Sequence, residues 1–264
     1  MSGNLTILQQ SLRHVDIPFP AAVTAAIETA AKADAAAANI APPPHGVLGA
    51  KVAAVLLAGE DPAADKEVQR LSTLVDIAPM AAANVKAWGQ ARIVDALAEA
   101  ADDLLETFRL ASVTAGEALS EAFVLVGDTE LNDAPAFLRR GPEGATAWAN
   151  ANAAVGHLND LTQAWTALAD LAGFASHSGR PVLLLADLDA NQFDQVGRTA
   201  TAWTLARAGI AIELATRATL PERIAHIAAD MQERQVEADG ELANAYRRTH
   251  GSGSRPTDRT VTSR

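Results

Sequence analysis

A chain of 264 residues, 49% of them hydrophobic, is long enough to bury a substantial core, and 60 alanines against 11 aromatic residues point to closely packed helices rather than to sheet. The formal net charge of −11 argues against general nucleic-acid binding. The absence of cysteine excludes disulfides, thiolate catalysis and cysteine-based zinc sites.

The opening to about Pro20 is poorly patterned. It lacks the basic segment and apolar run of a secretory signal, so a cytoplasmic protein is expected. Residues 21–40 are almost pure helix former and predict an alanine-rich helix that lies on a surface or packs at close range. The three prolines of Ala41–Gly46 then impose a stiff break. The longest apolar run, Gly46 to Gly59, predicts a short helix. It is too short to cross a bilayer and carries Lys51, so no membrane contact is expected. Asp61 as N-cap and Pro62 in the first turn predict a helix to about Ile77.

From about Pro79 to Val126 the chain fits a seven-residue frame. Ala87, Val94, Ala101, Phe108, Ala115 and Ala122 occupy one core position of the frame. Gln90, Leu97, Leu104, Ala111, Ala118 and Leu125 occupy the other, and Arg92, Glu99 and Glu106 fall on the opposite face. This predicts one long central helix with a continuous packing seam. Residues 127–144 read as a loop with one turn of helix. Trp148, Val155, Leu158, Leu161, Trp165 and Leu168 then mark a second strong helix over 145–172. All four tryptophans, including Trp88 and Trp203, are expected in the core, with a partner surface as the alternative.

Val182–Leu188 and Ile210–Leu214 are ambiguous between helix and strand. Helix is favoured for the first, and a small βαβ unit near 181–216 is the alternative. Between them, Asp187, Asp189 and Asn191 alternate as the ligands of a calcium loop do. Yet Gln192 stands where such a loop needs glycine, and Arg198 where it needs glutamate. The better reading is a helix start, with Asp189 as N-cap, Gln192 reaching back to it, and a helix continuing through Phe193, Val196, Ala200 and Trp203. Thr219 and Glu222 suggest a further capping box, opening a last helix to about Arg248 with Leu220, Ile224, Ile227 and Met231 inward. Glu222, His226, Asp230 and Arg234 on that helix read as an alternating-charge solvent face.

The expected architecture is therefore all-α: an alanine-rich segment and linker (1–45), a helical bundle around the long helix (46–246), and a flexible basic tail (247–264). Arg247, Arg248, Arg255, Arg259 and Arg264 make that tail cationic against an acidic body. No nucleophile elbow, phosphate loop or dinucleotide fingerprint occurs, and no metal or cofactor is implied. The expectation is a non-enzymatic assembly or interaction protein, a homo-oligomer or protein binder. Scaffolding or a virion component fits, in a high-GC bacterium or its phage, because lysine occurs only at Lys32, Lys51, Lys66 and Lys86 while alanine and arginine dominate. The alternative is a helical enzyme or small-ligand binder with a site near His177, Asp187 and Glu222.

Overall fold

The computed structural model describes residues 2–44, 46–174 and 181–250. All regular structure among them is helical. The order is α1 (Ser2–His14), α2 (Ala21–Ala38), α3 (Val47–Leu57), α4 (Lys66–Val126), α5 (Ala134–Leu138), α6 (Gly141–Ala172), α7 (Pro181–Leu185), α8 (Ala190–Val196), α9 (Ala202–Arg207) and α10 (Thr219–His250). None of these helices is long and apolar enough to cross a membrane.

The spine is α4, 61 residues long, or roughly 90 Å at 1.5 Å per residue. It starts earlier than the sequence suggests. Asp65 is the N-cap, accepting from the amides of Glu67 (2.8 Å) and Val68 (2.9 Å). Asp61 instead closes a turn onto the amide of Ala63. Pro79 does not begin the helix but lies inside it. Its missing amide orphans the carbonyl of Val75 one turn back, and both residues are exposed, so solvent can satisfy that carbonyl.

Packing follows from side-chain size. Helix α2 lies against the first half of α4, with Ala30 and Ala33 over Gly89. A Cβ at Gly89 would stand 2.9 Å from the Ala33 Cβ and 3.1 Å from the Ala30 Cα. Helix α6 takes the second half of α4, and α1 packs on α6. One core joins α1, α2, the middle of α4 and the end of α6 around Leu97, Leu105, Phe108, Leu161, Trp165 and Leu168. The other joins the end of α4 and the start of α6 with α5 and the short helices around Leu119, Phe137, Leu158, Leu183, Trp203 and Ile227.

The two ambiguous segments form neither a strand pair nor two helices. Residues 181–185 are helical, and residues 210–215 run extended across them. The amides of Glu213 and Ala215 donate to the carbonyls of Leu185 and Leu184, both at 2.8 Å. The same extended run lies on α4. The Leu214 amide donates to the buried Ser112 hydroxyl (2.8 Å), and a Cβ at Gly116 would meet the Ile212 Cβ at 2.9 Å. A lone extended segment thus fills the groove beside α4 and takes its hydrogen bonds from a helix end and a serine. The helix start at Asp189 is a full capping box, with Gln192 N to Asp189 Oδ1 at 2.8 Å and Asp189 N to Gln192 Oε1 at 3.0 Å. That helix ends at Gly197, and Thr201 caps a separate one, so the expected single helix through Trp203 is two. At α10, Thr216 and Thr219 exchange amide-to-hydroxyl bonds with each other, displacing the expected Thr219–Glu222 box.

Candidate functional site

Two places gather unspent chemistry: the outward face of α4 and a cleft beside α10. On α4, the buried stripe runs through Leu71, Ala78, Gly89, Ile93, Leu97, Ala101, Leu104 and Phe108. The seven-residue frame keeps Leu97, Ala101, Leu104, Phe108, Ala115 and Ala122 buried, but Ala87 and Gln90 at its start and Leu125 at its end are exposed. A period of 3.5 drifts about 20° per heptad against a straight helix, so a frame set in the middle leaves the core at both ends.

A second apolar stripe occupies the outward face of the first half. Leu74, Ile77, Ala81 and Trp88 lie within about 60° of one another around the helix axis. Ile77 is 50% exposed, Met80 beside it 60%, and Trp88 54%. The Arg92 guanidinium sits over the Trp88 ring, 5.8 Å from its centroid. Helix α3 adds Leu57, 90% exposed. The same outward face begins with Lys66 and Arg70 and continues past Trp88 to Asp95 and Glu99, all exposed. Arg70 rests on Glu67 at 2.6 Å, an exposed pair that solvent screens. Trp88 is the one tryptophan that the core expectation misplaces. The signal was the spacing of Leu74, Ile77, Ala81 and Trp88, obscured by taking Pro79 as a boundary.

The cleft, about 450 Å³, is lined by Asp187, Glu213, Thr219, Glu222, Arg223 and His226. Asp187 and Glu222 therefore come together as the alternative site requires, while His177 lies outside the described residues. Arg223 is 7% exposed. Its Nη1 donates to the carbonyls of Glu213 (2.9 Å) and Leu183 (3.2 Å), tying the end of α7 to the extended run. Burial pushes its guanidinium below the ordinary range, against the pull of Asp187 and Glu213. The His226 ring stands 3.9 Å from Asp187 and 3.7 Å from Asp230, beyond hydrogen-bond reach in both directions. Arg234 continues the row onto Asp194 at 2.7 Å, so this face bridges α10 to α8. Among the described residues no group of three or more His, Asp or Glu is disposed to hold a metal ion. The buried cation of this cleft is engaged in tying backbone together, Glu213 is paired with Arg109 at 2.6 Å, and Asp187 and Glu222 are exposed.

Arg247 and Arg248 fall in the last turns of α10, and Arg255, Arg259 and Arg264 lie outside the described residues. No protein-family model, curated protein or solved structure matches the chain.

Proposed function

We propose that the protein is a non-enzymatic assembly protein of the scaffolding kind, which self-associates along its helical spine and engages an acidic protein partner through Arg247, Arg248, Arg255, Arg259 and Arg264. The observation that carries this reading is the row of large apolar side chains, Leu74, Ile77, Met80 and Trp88, left in solvent on the first half of α4. Contiguous exposed apolar surface on a folded chain marks an interaction site. A cationic tail on an acidic body adds a second contact that salt weakens.

The test is the native mass in light scattering at tens of micromolar, for the full chain and for residues 1–246. A mass that rises with concentration to an oligomer in both supports the reading. A concentration-independent monomer in both contradicts it.

A further inference from the structure

Helix α4 is electrically lopsided. Residues 66–92 hold four basic and two acidic side chains, and residues 93–126 hold one basic and seven acidic. On its outward face the order is basic, apolar, acidic: Lys66 and Arg70, then Ile77 and Trp88, then Asp95 and Glu99. At 3.6 residues per turn all six lie within about 40° of Ile77. Helix α2 packs on the neighbouring face of α4, where its Ala22, Ala25 and Thr29 border a cleft shared with Trp88, Asp95 and Glu99, and all six outward residues remain exposed.

Such a face does not match its own parallel copy. In-register parallel pairing sets Arg70 beside Arg70 and Asp95 beside Asp95, and like charges in contact repel. Reversed, the face is self-complementary. Rows of apolar residues then meet, and each basic end meets an acidic one.

We propose that two copies of the chain pair antiparallel along this face, with Lys66 and Arg70 of each copy against Glu99 and Asp95 of the other and Ile77 against Trp88. The proposal rests on the self-association reading and names its partner as a second copy. One two-fold axis, passing between residues 82 and 83, satisfies all three pairings at once, and symmetry repeats each of them. The contact spans about 50 Å of helix at 1.5 Å per residue. The rest of the acidic second half of α4 extends away from the axis in opposite directions, which separates the like charges of the two bodies.

Charge exchange tests it. One variant carries Lys66→Glu and Arg70→Glu; the other carries Asp95→Lys and Glu99→Lys. All four positions are exposed, and circular dichroism checks that the helices remain. In sedimentation equilibrium, the natural chain forms a dimer and each variant alone associates about tenfold more weakly or worse. An equimolar mixture of the two variants recovers the dimer, because every altered charge then meets its opposite. If the natural chain dimerises but the mixture does not recover, or either variant dimerises undiminished, the face and register are wrong while self-association stands. A monomeric natural chain overturns both.

Discussion

Gly89 and Gly156 both sit inside long helices, where glycine costs about 0.5–1 kcal/mol relative to alanine. Their surroundings differ. A Cβ at Gly89 meets Ala33 and Ala30 of α2 at 2.9 and 3.1 Å, whereas one at Gly156 meets nothing within 4 Å. The same substitution therefore has opposite signs. Gly156→Ala should stabilise by about 0.5–1 kcal/mol through propensity alone. Gly89→Ala gains the same propensity but forces α2 away from α4, an overpacking cost of about 1–3 kcal/mol, so a net loss follows. Urea unfolding of the two variants checks both signs, and equal gains would remove close α2–α4 contact from the account. The tryptophans divide in a similar way. Trp148, Trp165 and Trp203 each donate an indole N–H to a loop carbonyl, those of Leu131 (3.0 Å), Ala215 (2.7 Å) and Thr129 (3.1 Å). They pin loops to helices, whereas Trp88 lies in solvent beneath Arg92.

Among the elements, α4 holds the main tension between local preference and packing. Proline in a helix interior costs about 3 kcal/mol, and Pro79 is exposed, so its side chain adds little core contact in return. Pro79→Ala should raise stability by up to about 3 kcal/mol in the same urea measurement, and a loss would mean that the proline shapes a bend the packing needs. Proline also explains why the helix was legible only in part. A strong breaker reads as a boundary, and the continuation from Asp65 rests on Val68, Leu71 and Ala78 packing on tertiary partners. Helix α1 went unread because its buried apolar residues, Leu8 and Leu12, are too few to stand out from a polar segment. Alanine background blurred the period of the buried stripe. The α6 helix, the Asp189 cap and the all-α class were legible because bulky residues or a specific side-chain-to-amide pattern mark them. The 210–215 run was not, since the amides of Glu213, Leu214 and Ala215 donate to Leu185, Ser112 and Leu184, far away in sequence. The cleft residues Asp187 and Glu222 were legible as neighbours, but the buried Arg223 between them was not. An arginine within a charged helix face gives no sign that its head will be buried against backbone carbonyls.

For the whole molecule, the distribution of charge and apolar surface matters more than any single cluster. A long rod carries an acidic half packed on α6 and a less charged half left partly bare, and the pairing inferred through the bare half would keep the acidic halves apart. The natural chain has no cysteine, so a single introduced one labels cleanly. Asn84 lies on the outward face, one and a half residues from the inferred axis, with its mate the same distance beyond. The most direct measurement is the spin–spin distance between copies of the chain labelled at Asn84→Cys. Antiparallel pairing on this face predicts a short intermolecular distance, about 10–20 Å given an interaxial spacing near 8–10 Å. Absence of intermolecular coupling, at a concentration where the natural chain is shown to be associated, would contradict it.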